Sequence, residues 1–543
     1  MKHRPKSIFS FFLLIAALVF LFTGCYKKDF DKLKLATATP EYLYPLIDAE
    51  LSLKDIVDPS KKKLNITEDA SGFYTFIYYE DIFDQYITDL LKIEDVSISQ
   101  SVALTNAEIT ALPVSKTVTH TFSNAYTLTT SNGEQLKHIT IKSGTLPFNI
   151  SSSFRHNVEL TVTFPYVKKN NIPLTQTITI SYKGSSPVVS NNEIDLSGYT
   201  IDFSENGTTV NTVSYNASMK ITFIAGNTIN NGQRITLTTG VKNIAYSYVD
   251  GYIGKYNLTI PYDSVSIDIF SSAYAGNVYF TDPKVRAIIN NSIGAESTVK
   301  IDKLISSSNI SGTTTITGTK INTNIPILYP GQAELGQSKS TTIQLDKTNS
   351  NVQTVFNPAP DKIYYQMSGV LNPSGVTTNY ITDQSKISVR GEVEIPMEGR
   401  VSSFVLLDTI TGLTYPSIDS TNDKITIVSA GFNVNLVNGF PLDANLQIYF
   451  LDDNGDVADS LFTHPHMIPA ASIDGNGKVI SSNSVIIREF LDEARYKRVT
   501  SSKKAVVYAF FRTANNGSDP IKIYSSYKIK SNISIDVKAN VSF

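Results

Sequence analysis

The side chains of this sequence that could carry chemistry are few and dispersed. Beyond the first 24 residues the histidines are His120, His138, His156, His464 and His466, and the last two flank a proline. Asp452, Asp453, Asp456 and Asp459 lie just upstream of that pair. Imidazole and carboxylate together suit a divalent cation such as zinc. No H-E-x-x-H or comparable spacing occurs, so the pair reads as an exposed loop after a hairpin, and no metal site is expected. The run Asp452-Asp453-Asn454-Gly455-Asp456 raises calcium, yet it lacks the alternating ligand spacing and distal glutamate of an EF-hand. Between Phe450 and Val457 it reads as a turn. There is no G-x-S-x-G elbow, P-loop or G-x-G-x-x-G, which removes the common hydrolase, nucleotide triphosphatase and dinucleotide signatures. Carboxylate pairs for glycoside hydrolysis are set by fold and not by local motif, and nothing nominates one. The expectation is a non-enzyme with no catalytic residue and no cofactor. Cys25 is the only cysteine in 543 residues, so no intrachain disulfide and no cysteine-based metal site can form.

The elements that would position any site are strands. In 157–165 Val158, Leu160, Val162 and Phe164 share one face while Glu159, Thr161 and Thr163 share the other. The same alternation occurs in 176–182 and 264–270. Successive side chains of a strand point to opposite faces, so one face can be buried and the other wetted. Between such runs lie turn formers at 131–133, 204–207, 230–232, 453–456 and 474–477. Asn-Gly cues among them predict hairpins, because both residues tolerate positive φ. Helical spacing is scarce. It predicts one helix over 80–94, from Ile82, Phe83, Tyr86, Ile87, Leu90 and Leu91, and a second over 486–497. The fold class expected is mainly β, with two to three antiparallel β-sandwich domains, immunoglobulin-like or related, and one or two short helices. Net charge is −2, from 47 basic and 49 acidic residues without long blocks of either sign, which argues against nucleic acid as a partner.

The start of the chain carries its most specific signal. Lys2, His3, Arg4 and Lys6 form a basic opening, Ile8 to Phe22 is uncharged, and Thr23-Gly24 places small residues before Cys25. That is the layout of an export signal, and the run falls short of the ~20 apolar residues that span a bilayer. Phe22-Thr23-Gly24-Cys25 resembles the lipobox of bacterial lipoproteins, in which the signal is cut before a cysteine that is then acylated. The resemblance implies lipidation of Cys25 and attachment to a membrane through it, each buried CH₂ contributing about 0.8 kcal/mol. With the lipobox, the segments 279–301, 446–479, 486–499, 506–513 and 522–543 resemble large, β-rich, uncharacterised outer-membrane lipoproteins of Bacteroidota. That resemblance implies an outer-membrane location and no particular reaction. Asp263-Ser264-Val265, Asp408-Thr409-Ile410, Asp419-Ser420-Thr421 and Asp459-Ser460-Leu461 resemble the sites such bacteria O-glycosylate after export. The residues following Cys25 leave surface and periplasmic orientation both open.

The chain divides into a signal peptide (1–24), a lipidated tether (25–40), a first β domain (41–192), a central β region (193–400) and a C-terminal β-sandwich domain (401–543). Its final residues, with Ile533, Ile535, Val537, Ala539, Val541 and Phe543 alternating, read as a half-buried sandwich strand. A rival reading is the last strand of an outer-membrane barrel. Tyr78-Tyr79 and Tyr364-Tyr365 read as half-buried strand aromatics and not as a carbohydrate platform. The functional expectation is a structural or interaction component of a cell-envelope assembly, with protein partners in the outer membrane. The alternative is a carrier for glycan or lipid.

Overall fold

The computed structural model describes residues 38–56, 63–267, 273–413 and 425–541. Strands dominate, and among the described residues they stack as three sandwiches nested in the sequence.

The innermost is built on two long strands, β6 (Gln135–Ser152) and β12 (Arg234–Tyr252), which pair along their length. β4 (Val96–Ala103) and β21 (Asn379–Thr382) pair with β12, and β9 (Val188–Asp195) pairs with β6. The facing layer runs β8 (Ile172–Ile180), β7 (Asn157–Lys169), β11 (Thr212–Thr222), β5 (Thr117–Thr127), joined to β6 through the short β10 (Thr200–Asp202). Val158, Leu160, Val162 and Phe164 all point inward, as their alternation requires. Phe164 meets Phe148 of the opposite layer edge-on at 6.1 Å and Tyr215 of its own layer at 5.4 Å.

Around this lies a second sandwich. One sheet has the order β19 (Lys339–Leu345), β15 (Lys284–Asn291), β22 (Lys386–Pro396), β3 (Tyr74–Tyr86), β2 (Leu64–Glu68). The other has β13 (Tyr256–Ser266), β20 (Lys362–Leu371), β16 (Ser297–Ser308) and β17 (Gly312–Thr315), with β18 (Ile325–Ile327) also on β16. Val285, Ile343 and Val393 of the first sheet face Ile301, Ile363 and Met367 of the second across a residual void of about 30 Å³.

The outermost sandwich joins the two ends of the described chain. Its four-stranded sheet has the order β1 (Glu41–Ser52), β33 (Lys528–Val541), β24 (Ile425–Asn438), β30 (Asn483–Leu491). Facing it are β14 (Ala273–Phe280), β23 (Glu398–Thr411), β31 (Lys504–Arg512), β25 (Asp443–Leu451) and β26 (Val457–Ser460). β27 (His466–Ile468) pairs with β25 and β32 (Ile521–Lys522) with β23. β28 (Ser472–Ile473) and β29 (Val479–Ser481) form a separate hairpin. Phe432 and Phe450 stack between the two layers at 6.4 Å, within a hydrophobic cluster separate from that of the other two sandwiches. β33 buries Ile533, Ile535 and Val537 in this cluster, and among the described residues its sheet runs from β1 to β30 without closing, as an open sandwich layer.

Hydrogen bonding is continuous across residue 192, because β9 and β11 lie in the same connected sheet as β5 to β8. β1 meanwhile belongs with the C-terminal strands, and β2 and β3 with the central ones.

The helix expected over 80–94 is instead strand as far as Tyr86, followed by a short helix Ile87–Leu90. Opposite Val389 and Arg390 the register slips by one, and Ile82 is the extra residue. A bulge of this kind sets two apolar neighbours, Ile82 and Phe83, side by side and so mimics helical spacing. The helix expected over 486–497 begins only at Glu493, capped by Asp492, whose carboxylate accepts the Arg495 N–H at 2.8 Å; residues 486–491 belong to β30. A helix the sequence reading passed over, Asn106–Ser115, is closed by a capping box between Thr105 and Glu108. Of the turn formers, 453–456 and 474–477 close true hairpins, whereas those at 131–133, 204–207 and 230–232 join strands that do not pair with each other.

Candidate functional site

The chain crosses from the second sandwich into the first after β3, and a later crossing from the first back into the second lies between β21 and β22. Between these two crossings lies a cleft of about 680 Å³. Tyr86, Thr88, Asp89, Lys92 and Ile93 line it from the outgoing segment. Asp383 and Gln384 line it from the return turn, and Lys142 of β6 with Ile244 and Tyr246 of β12 complete it.

Local irregularity opens this space. The β12–β6 register shifts between Lys242 and Ala245, again between Ala245 and Tyr246, and again between Tyr246 and Tyr248. Such bulges re-aim side chains and increase local twist. Asn243 has φ 52° there, and its N–H donates to the Asp95 carboxylate at 2.7 Å. On β6, Gly144 has φ 146°, a backbone conformation in which a side chain would be strained, and Ile244 packs directly over it.

The two crossings are laced together. Ile87 N–H donates to Ser385 O at 2.9 Å, and the Tyr246 hydroxyl donates to Leu91 O at 3.3 Å. Lys142 and Asp383 form an ion pair at 2.5 Å, and Gln85 donates to Asp89 at 3.2 Å. Lys386 pairs with Asp84 at 3.0 Å and sits 5.0 Å from the centre of the Tyr86 ring. The Lys142 ammonium holds the Asp383 carboxyl below the usual carboxylate range. Burial, helped by the charges of Asp383 and Asp89, pushes the Tyr246 phenol up, so it stays a donor. A glycosidase acid needs a carboxyl raised toward neutrality; Asp383 is shifted the opposite way. The lining offers interleaved donors and acceptors beside an aromatic ring, the composition of a small-molecule binding site.

The residues singled out from sequence lie elsewhere. Cys25 and Asp419-Ser420-Thr421 fall outside the described residues. Asp452 accepts N–H groups of Asn454 and Asp456 at 2.9 and 2.8 Å, which closes the β25–β26 hairpin. His466 opens β27 with its ring edge-on to Phe462 at 4.8 Å. Asp459 is gripped by Arg495 at 3.1 Å and Arg498 at 2.8 Å, which pins the helix Glu493–Ser501 to β26. Ser460 donates its hydroxyl to Phe462 O. Asp263 accepts the Ser264 N–H at 2.8 Å. His120 pairs with Glu108 and His138 with Asp250, while His156 is buried against Phe223. Among the described residues no group of three or more histidines and carboxylates is placed to hold a metal ion. Tyr78 and Tyr365 are buried; Tyr79 and Tyr364 are half-exposed, and Tyr364 stacks on Tyr262 at 5.4 Å.

The sequence reading did not assemble the cleft, because its residues come from four separate stretches of chain. The available signal was the broken alternation in Gly240-Val241-Lys242-Asn243-Ile244-Ala245-Tyr246, where a long strand loses its period.

A second feature lies on the four-stranded sheet. Leu43, Asp536, Gly431 and Phe490 form one row across its outer face. Leu43, Ile486 and Phe490 are 66%, 80% and 61% exposed. Between them Asp536 accepts from Asn433 at 2.8 Å and Arg488 at 3.1 Å, and Arg488 also lies 4.9 Å from the Phe490 ring centre. The sheet is also where the described chain starts, since Ala38 bridges Val541.

The sequence matches no protein-family model and no curated protein. Among solved structures, it is similar to a protein of Parabacteroides distasonis provisionally described as secreted, at 10% identity over 92% of this chain and 99% of that one, with a TM-score of 0.26. It is also similar to the VP2 protein of infectious bursal disease virus, at 7% identity over 90% of this chain and 83% of that one, with a TM-score of 0.13.

Proposed function

We propose that this protein is an exported lipoprotein of the Bacteroidota type, held to the outer membrane by acylated Cys25, and that it works by binding and not by catalysis, as an interaction component of an envelope assembly. The observation that carries this reading is the coincidence of two features on one sheet. The tether enters the fold at β1, and the same sheet leaves Leu43, Ile486 and Phe490 uncovered on its outer face. Exposed large apolar side chains close to an anchor suit a protein partner in the same membrane. From Cys25 to Ala38 the chain reaches at most ~45 Å when extended, which keeps that face near the bilayer.

The test has two parts. Cys25→Ala should release an intact folded protein from membranes, read by fractionation and by mass spectrometry of the mature amino terminus. A photo-crosslinker at position 486 or 490 in native envelopes should capture one reproducible membrane-protein partner. A variant that stays firmly bound, an unmodified thiol, or capture of no reproducible partner counts against the reading. The second reading, a carrier for glycan or lipid, is favoured by the cleft between the first two sandwiches.

A further inference from the structure

We infer that the cleft between the β3–β4 and β21–β22 crossings is a binding site for a short, uncharged oligosaccharide. This deepens the carrier reading and is independent of the anchor. The charges of the lining balance: Lys142 is neutralised by Asp383, and Lys92 is offset by Asp89. A ligand of either sign would meet a like charge as well as an opposite one, whereas hydroxyl groups, being both donors and acceptors, satisfy each in turn. Thr88 and Gln384 add two further groups that donate and accept. The remaining wall is apolar, from Ile93 and Ile244, with the Tyr86 ring beside it. A pyranose ring has the matching mixture, polar at its rim and C–H on its faces, and those faces pack against aromatic rings. An acyl chain would strip water from the Lys92 ammonium and from the Asp89 carboxylate, which among the described residues has only Gln85 to replace it, and that is costly. The volume lies within the usual range for small-molecule sites, and junctions between domains are where such sites recur. The bulges of β12 and the glycine at position 144 are local departures from regular sheet that make the space.

The test uses the full chain purified in detergent and labelled oligomers of α-glucan, β-glucan, mannan, galactan and chitin, with polygalacturonate oligomers as the acidic comparison and a fluorescent fatty acid as the lipid comparison. Saturable binding of at least one neutral series is expected. Tyr86→Ala should weaken it at least tenfold and Gln384→Ala severalfold, with melting temperatures close to the parent's. Gln384 is exposed, so its variant reports binding even where the Tyr86 variant folds poorly. Sugar binding unchanged in both variants would remove the cleft and leave the carrier reading standing. Fatty-acid binding with no sugar binding would likewise remove this site and keep a carrier of lipid. Preference for the acidic oligomers, or binding of no probe, overturns the inference.

Discussion

His156 is buried, and its Nδ1 accepts the Ile224 N–H at 3.1 Å, which places the ring proton on Nε2. A second proton would have to go to Nδ1 and displace that bond. Burial lowers the affinity of this ring for a proton relative to the unfolded chain. The contribution is therefore fully present above pH ~6.5 and is lost as pH falls below it toward the folded-state value. His156→Asn keeps an acceptor for Ile224 and removes the titration, so denaturant titrations from pH 8 to pH 5 should show a flatter decline than the parent. Asp459 makes the complementary case. Its carboxylate is buried beneath Arg495 and Arg498, and Asp459→Ala would remove it from Arg498, which is half-exposed, and from Arg495, which keeps Glu489 and the Ser460 and Phe490 carbonyls. A loss of about 1.5 kcal/mol is expected, the lower end for hydrogen bonds to a charged group. Hydrogen exchange should rise first in the helix Glu493–Ser501. The tripeptide around Asp459 reads from sequence as a modification motif, yet the acid has a structural task that only the folded neighbours disclose.

At the scale of elements, period-two alternation was a sound guide wherever one sheet face is buried, as in β7 and β8. It misled where a bulge intervened. Ile82 interrupts β3, and the resulting pair of apolar neighbours imitates a helix; the acids of the same stretch pair across strands, Asp81 with Arg390 at 2.7 Å and Asp84 with Lys386 at 3.0 Å. The same limitation hid the cleft, whose residues converge through pairings hundreds of residues apart. The Asn-Gly signals marked reversals correctly but could not say whether the next strand pairs with the last or crosses to the facing layer. β1 offers a direct test of element dependence. Deleting residues 38–52 from the chain should leave β33 as an edge, raise its amide exchange, and lower the cooperativity of unfolding of the outer sandwich, while strands of the innermost sandwich keep the parent's protection.

On the scale of the whole molecule, the nesting explains why linear division of the sequence could not anticipate which strands share a core. Both ends of the described chain build the outer sandwich, and the second is interrupted by almost all of the first. A chain ended after Pro396 should therefore retain two protected sandwiches but strip β1 and β14 of their partner strands, so limited proteolysis should trim its first residues back toward β2 and cut within β14 while sparing the rest. Pairings this distant also predict slow completion of folding, because loop closure over the intervening chain precedes any reward from contacts. The union of β1 with β33 has a mechanical consequence as well. The strands run antiparallel from Glu41 opposite Lys538 to Ser52 opposite Lys528, with hydrogen bonds perpendicular to the strand axis. Traction on the amino-terminal end of β1 along that axis would load the rungs together in shear, whereas a sideways tug would peel them one after another. Were the proposed acyl anchor at Cys25 in place, drag directed along β1 would meet all of these rungs at once, and β1 would not be the first strand to tear.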